Sequence, residues 1–334
     1  MKPLKNKILH VSTDLKFITP FIEIINKHYN INQHTFIVIT KENEITPHDH
    51  VIFINKKSQL LKILFNLNKN NKIILHGLFS NVLLIILFFQ PWVLRNCYWV
   101  MYGGDFYFPE KQSWVKKQVI KRIRHFITYL KGDFEYVKRW YGAKGKYHEC
   151  FMYPSNLYKQ HNIKLKKDST LNIQVGNSAD PTNNHIEAFE MLRKYKNEDI
   201  RIYVPLSYGD QNYADAVILK GQEIFRNKFI PVTDFMSMNK YLDFLGNIDI
   251  AIFAHERQQA MGNIITLLGL GKKIYIKDSI SSWQFFKDID VRLFDYTNIK
   301  LDSLDNIIKE ANIQKIKSYF SKETYVKQLK SFLN

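Results

Sequence analysis

Only two cysteines, Cys97 and Cys150, occur among the 334 residues, with no CxxC pair and no Cys/His group at ligand spacing. A disulfide scaffold is thereby excluded, no structural zinc site is indicated, and a reducing compartment is expected. Long apolar runs are also missing: the longest, Val82 to Phe89, falls far short of the ~18–20 residues that cross a bilayer. Met1 to Thr13 is basic but lacks an apolar core followed by small residues, so it reads as a first strand rather than a secretory leader. Glycine (13) and proline (9) are sparse, and beyond an Asn/Lys-rich patch at Asn66 to Lys72 there is no low-complexity segment or short repeat. No GxGxxG follows the first strand, which argues against a dinucleotide site.

What is present is enough apolar sequence for real cores, 46% hydrophobic against 24% charged residues, and enough length for two domains of about 150 residues. Lys and Arg number 48 against 31 Asp and Glu, a formal charge of +17. Such an excess implies an anionic partner: nucleic acid, a phosphorylated substrate or an acidic membrane.

Short β-rich runs at Ile8–Val11, Thr35–Thr40, His50–Asn55, Lys72–His76 and Cys97–Tyr102 are separated by stretches long enough for helices. The first spacer predicts a helix starting at Thr19-Pro20, with Phe21, Ile24, Ile25 and His28 at helical spacing. A polar linker is expected between Pro154 and Asp168. The alternation then repeats through Thr170–Val175, Ile200–Leu206, Lys228–Val232, Asp249–Ala254 and Lys273–Ile276. Strands alternating with helices imply parallel sheets, and hence an α/β chain of two Rossmann-like, doubly wound domains facing a central cleft. The expected boundaries are 1–160, 169–312 and a final segment, 313–334, whose helix from Ile313 to Leu333 crosses back to the first domain. Ligands of such sheets sit beyond the carboxyl ends of the strands.

Three strand ends in the second half carry polar clusters. Gly176-Asn177-Ser178-Ala179-Asp180-Pro181-Thr182-Asn183 combines a glycine with small polar residues before a helix, an arrangement that aims N–H groups at a phosphate; a capped turn is the alternative. Ser207-Tyr208-Gly209 offers a ring for a base or sugar, or merely closes a loop. His255-Glu256-Arg257-Gln258-Gln259-Ala260-Met261-Gly262-Asn263 ends an apolar strand, and function is favoured there. Arg257 can pair with phosphate oxygens while the following helix adds its dipole to the charge on a departing nucleoside diphosphate, with no metal required.

In the first half, Tyr102-Gly103-Gly104-Asp105 makes a tight turn that presents Asp105 as the leading general base. His76, beside Gly77, His10 and Asp14 are the alternatives. In Trp114 to Leu130, Val115, Val119, Ile123, Phe126 and Leu130 fall on one helical face among Lys116, Lys117, Lys121, Arg122 and Arg124. This predicts a basic amphipathic helix, either a membrane-surface anchor or a core helix with a solvated back; the apolar run Val82 to Trp92 favours the membrane.

The blocks Trp99-Val100-Met101-Tyr102-Gly103-Gly104-Asp105, Phe151-Met152-Tyr153-Pro154-Ser155-Asn156, Gln174 to His185 and Ala254 to Gly271 resemble glycosyltransferase family 56, with likeness from about Leu9 to Asp295. The resemblance implies a GT-B-like fold and a hexosyltransferase that moves a 4-acetamido-4,6-dideoxygalactose-type sugar from a dTDP donor. The acceptor it implies is a polyprenyl-diphosphate-linked saccharide, as in enterobacterial common antigen synthesis. The implied location is peripheral, on the cytoplasmic face of the bacterial inner membrane. No cofactor, metal or nucleic acid is expected. The resemblance supplies no residue roles; the chemistry of the strand ends assigns Gly176, Asn177, Ser178, Asp180, Asn183, Ser207, Tyr208, Gly209, His255, Arg257, Gln258, Gln259, Gly262 and Asn263 to the donor. Asp105, His76 and Arg257 act in catalysis, His10, Asp14, Gly77, Gly103 and Gly104 meet the acceptor, and Val115, Lys116, Val119, Lys121, Ile123, Arg124 and Phe126 meet an anionic membrane. The Lys/Asn-rich composition leaves a related donor and another polysaccharide open. A basic nucleic-acid-binding protein and a sugar-nucleotide-modifying Rossmann enzyme are the competing readings; the first lacks a recognition module.

Overall fold

The computed structural model describes residues 8–40, 50–56, 58–60, 72–160 and 169–333. The expected linker residues 161–168 and most of the Asn/Lys-rich patch, 66–71, lie outside them. The chain divides into two units, Met1–Leu157 with Lys322–Asn334, and Tyr158–Ser321.

The first unit holds β1 (Ile8–Ser12), β2 (His34–Ile39), β3 (Val51–Ile54), β4 (Ile73–His76), β5 (Cys97–Val100), β6 (His125–Ile127) and β7 (Lys146–His148). They form one parallel sheet in the order β3-β2-β1-β4-β5-β6-β7. The second unit repeats the plan with β8 (Leu171–Val175), β9 (Ile200–Pro205), β10 (Phe229–Val232), β11 (Ile250–Phe253), β12 (Lys273–Ile276) and β13 (Phe294–Asp295), ordered β10-β9-β8-β11-β12-β13. Strand order reverses at β1/β4 in one sheet and at β8/β11 in the other, and beyond the carboxyl ends of such a pair the diverging connections leave room for a ligand. The central strands are almost wholly apolar because helices cover both sheet faces.

The helices are α1 (Leu15–His28), α2 (Asn81–Phe89), α3 (Trp114–Arg122), α4 (Lys131–Tyr141), α5 (His185–Leu192), α6 (Gln211–Phe225), α7 (Met238–Asn247), α8 (Met261–Gly269), α9 (Ser281–Asp288), α10 (Asn306–Tyr319) and α11 (Lys322–Leu333). Three sequence expectations are corrected. The first helix starts at Leu15, not at Thr19-Pro20: Asp14 is its N-cap, accepting from the Phe17 amide at 3.3 Å, and Pro20 lies inside. A carboxylate that satisfies an orphan amide fixes the start earlier than a proline can.

The amphipathic helix expected over Trp114–Leu130 stops at Arg122; Ile123 turns extended and β6 follows. Val119, Ile123 and Phe126 are fully buried in the first unit's core, so they cannot meet a membrane. Burying Ile123 and Phe126 is worth about 1.5–3 kcal/mol each, which outweighs the ~0.7 kcal/mol or less by which ordinary residues differ in helix propensity. The final helix is two: α10 and α11 are separated at Phe320-Ser321, and the boundary expected at 313 falls inside α10. Asn312 in α10 bonds the Arg292 backbone of the second unit in both directions, at 2.8 and 2.9 Å. α11 belongs to the first unit, where Tyr325 Oη donates to the Met152 carbonyl at 2.7 Å and Gln328 Oε1 accepts from the Phe151 amide at 3.1 Å.

A row of imidazoles crosses the first sheet. His10 Nε2 lies 2.9 Å from His34 Nδ1, His10 Nδ1 lies 3.1 Å from His76 Nε2, and His76 Nδ1 lies 2.8 Å from Tyr153 Oη, which bonds Tyr102 Oη. A neutral imidazole has one N–H and one lone pair, so His10 donates on one side and accepts on the other. Burial and the neighbouring rings hold His10 well below the usual imidazole range; burial takes His76 to about 3 and, with Lys72 and His50, His34 to about 4.

The unfolded chain titrates near 6.5 and takes up these protons first, so the row's contribution is complete above that pH and is lost as pH falls toward the folded values. At pH 5 His76 alone costs about 2 kcal/mol. The melting temperature, followed by circular dichroism, should drop steadily from pH 7 to pH 5; a flat profile would contradict a neutral row.

Candidate functional site

In the second unit the chain must turn sharply at the end of β8. Gly176 has φ +66°, and a Cβ there would sit 2.3 Å from His185 Nε2 and 2.9 Å from Asn183 Oδ1. Only glycine fits. The loop after it is organised by Asn183, which is fully buried. Its Oδ1 accepts from the Asn177 amide at 3.0 Å and from His255 Nε2 at 2.9 Å, while its Nδ2 donates to Ser178 Oγ at 3.3 Å and the Asp180 carbonyl at 3.1 Å. Because a backbone amide can only donate, the atom it faces is the oxygen, and His255 must carry its proton on Nε2. Burial, aided by Arg257, pushes His255 down to about 3, which keeps it neutral.

The other expected donor residues gather on the same frame. Asn177 Nδ2 donates to Tyr208 Oη at 3.0 Å, and the Tyr208 carbonyl accepts from the Ala179 amide at 2.8 Å. Gly209, at φ +120°, lets the β9 loop lie against the Ala179 backbone, which a Cβ would meet at 2.6 Å. Arg257 Nη2 stands 3.6 Å from Asp180 Oδ2, and the Thr182 hydroxyl lies 2.7 Å from Asp180 Oδ1 and 2.8 Å from Gln259 Oε1. Asn263 accepts from Tyr241 Oη at 2.8 Å in the first turn of α8, and Gly262 passes its carbonyl to Thr266. The α8 N-terminus has Ala260 at its cap, with no side-chain hydrogen bond to its first amides. Arg257 and Gln258 are half-buried and Ser207 is at the rim. Among the described residues, the buried Asn177 Oδ1 and His255 Nδ1 have no hydrogen-bond partner. The loops after β8, β9 and β11 thus form one polar surface carrying a cation and a helix start. Asn183 is corrected from a ligand contact to a positioning residue, since its amide makes all its hydrogen bonds inside the protein; His255, which it holds, keeps Nδ1 unpartnered, as Asn177 keeps Oδ1.

The first unit sorts its candidates differently. Asp105 is fully buried and accepts from the Leu78 amide at 3.0 Å, Trp99 Nε1 at 2.9 Å and the Tyr102 amide at 3.1 Å. Burial raises its pKa, opposed by these bonds and by Lys116. It ties the ends of β4 and β5 together and offers no oxygen to an acceptor, so its assignment as base is corrected. His10 and His76 are equally buried inside the imidazole row and cannot touch an acceptor. Asp14, half-buried at the end of β1, and exposed Gly104 remain at the surface of this sheet edge, with Gly77 and Gly103 buried behind them. Sequence reasoning missed Tyr102, Tyr153 and His34 as partners of the row, and Tyr241 as a member of the second-unit site. Their contacts join distant strands, and no spacing in the sequence encodes that.

One Asp-x-Asp triplet exists, Asp288-Ile289-Asp290. It closes α9, where Asp288 accepts from Gln284 at 2.6 Å and Asp290 pairs with Lys315 at 3.2 Å. These contacts give the triplet a structural part at a helix end.

Solved structures share the fold. A glycosyltransferase from Rickettsia africae ESF-5 superposes with a TM-score of 0.65 at 12% identity, over 98% of this chain and 97% of that one. WaaG, a glycosyltransferase of lipopolysaccharide biosynthesis, gives 0.63 at 9% identity over 97% and 98%. Anabaena HepE in complex with UDP-glucose gives 0.60 at 13% identity over 98% and 95%. The two parallel-sheet Rossmann-like domains are therefore of the GT-B class. A family model described as 4-alpha-L-fucosyltransferase, glycosyl transferase group 56, matches residues 6–333. With that match spanning nearly the whole sequence, the chain belongs to glycosyltransferase family 56.

Proposed function

We propose that this glycosyltransferase moves a 4-acetamido-4,6-dideoxygalactose-type sugar from dTDP to a polyprenyl-diphosphate-linked saccharide, at the cytoplasmic face of a bacterial inner membrane. The observation that carries the reading is the gathering of the Gly176–Asn183, Ser207–Gly209 and Arg257–Asn263 loops around Arg257 and the α8 N-terminus. A nucleoside diphosphate leaving group needs its growing negative charge met, and a guanidinium fork beside amides at a helix start supplies that without a metal. Tyr208, more than half exposed at the rim, offers its ring to the base or sugar. Asn177 Oδ1, buried and unpartnered, is an acceptor suited to a sugar hydroxyl or amide.

The acceptor hydroxyl must lose its proton as the new glycosidic bond forms. Of the residues weighed for this step, Asp14 is the carboxylate at the first sheet's edge that is not buried. We assign it the role first given to Asp105.

Thermal stabilisation by nucleotides tests the reading most directly. With dTDP, UDP, GDP and NAD at equal concentration, dTDP should stabilise selectively, by about 2.7 kcal/mol at a hundredfold excess over Kd. Equal silence toward all three nucleoside diphosphates would end the proposal. Arg257→Ala should keep its melting temperature and lose most of that stabilisation. Gly176→Ala should instead lower stability by about 1–3 kcal/mol, because its Cβ strikes His185; a variant as stable as wild type would contradict the turn described.

A further inference from the structure

Val119, Ile123 and Phe126, expected to meet a membrane, are buried, yet another apolar face of the same unit carries the features such contact needs. Helix α2 is apolar around most of its circumference. Leu83, Leu84, Ile86 and Leu87 pack inward, while Ile85, Phe89 and Trp92 form an outward stripe at 50%, 69% and 49% exposure. A spacing of four residues puts Ile85 and Phe89 on one side of α2, and Trp92 follows in the turn after the helix end. Trp114, the first residue of α3 and 63% exposed, extends the stripe: its ring lies 5.2 Å from Phe88, which in turn lies 5.3 Å from Phe89. Helical spacing puts Lys117 and Lys121 on the Trp114 side of α3, and the Arg122 guanidinium stands 5.6 Å from the Phe88 ring.

The stretch that carries the stripe is predominantly basic. From Ser80 to Lys131 there are eight basic residues, Arg95, Lys111, Lys116, Lys117, Lys121, Arg122, Arg124 and Lys131, against two acidic ones, Asp105 and Glu110. Asp105 is buried. Aromatic rings set among Lys and Arg match the interfacial zone of a bilayer, where rings sit at headgroup depth and cations meet lipid phosphates. Water would otherwise solvate four large side chains that are each about half exposed or more.

We infer that Ile85, Phe89, Trp92 and Trp114, ringed by Lys117, Lys121 and Arg122, seat this protein on an anionic lipid surface. The inference rests on the proposed lipid-linked acceptor only for its purpose; lipid binding can be measured without any sugar transfer, so the two can fail separately.

The test is co-sedimentation of the full chain with vesicles of phosphatidylethanolamine and phosphatidylglycerol, against vesicles of phosphatidylcholine alone. Binding is expected to the first and not to the second. A chain this basic can adhere to anionic vesicles by charge alone, so the deciding variant is Phe89→Ser/Trp92→Ser, which leaves every charge in place. It should bind roughly tenfold or more weakly while keeping the wild-type melting temperature, and Lys117→Glu/Lys121→Glu should lose binding to a similar degree. No wild-type binding to anionic vesicles, or serine variants that bind like wild type, would overturn the inference. So would a wild-type dimer that the serine variant dissolves without any vesicle binding, because the stripe would then face a second copy of this chain.

Discussion

A single carboxamide fixes the shape of the second unit's polar surface. Asn183 faces the Asn177 amide, the His255 ring, the Ser178 hydroxyl and the Asp180 carbonyl at once. Removing any partner would leave a buried polar group unsatisfied, at about 1–3 kcal/mol. Everything that gives the surface its chemistry hangs from those four bonds. The loop after β8 is held open at Gly176, the loop after β11 is pinned through His255, and Arg257 is delivered to Asp180 two residues further on. A satisfied network is rigid, and a rigid frame is what lets a cation and a helix start stabilise charge without reorganising.

The first unit uses burial in another way. Its titratable side chains near the strand ends, His10, His76 and Asp105, lie inside and bond one another, backbone amides or Trp99. They tie strands together, and the price is sensitivity to acid, since a row of imidazoles in a dry sheet cannot accept protons without repelling its neighbours. What reaches the surface is sparser: Asp14, Gly104 and the ring of Phe79. The two sheets share a topology and differ in how their ends are finished, a polar network in one and an aromatic–histidine layer in the other. Function resides in such local finishing more than in the fold.

Much of the architecture was legible because parallel strands buried on both faces read as short apolar runs between helical spacers. β6, β7 and β13 escaped because two or three residues give no period, and β6 lay within a stretch whose apolar positions also fit a helix. The three loops after β8, β9 and β11 were legible as polar clusters at strand ends. The roles inside them were not: His255 and Arg257 are two residues apart, yet one is sealed in the core and the other reaches the surface. Asp105 looked like a base because a carboxylate after two glycines has the form of an exposed turn.

By itself, the sequence determined the alternation of strand and helix, the two-domain count, the positions of the glycines that permit tight turns, and membership of a family whose motif blocks it carries. These are local or additive properties, set by periodicity, backbone sterics and composition. Tertiary structure decided which polar groups are spent inside the protein and which remain for a ligand. It also decided which apolar face is covered, burying Val119 and Ile123 while leaving Phe89 and Trp114 in water. Both outcomes depend on partners brought together from strands dozens of residues apart, such as His10 with His76 and Asn183 with His255, and desolvation by those partners is a property of the packed sheet rather than of any segment.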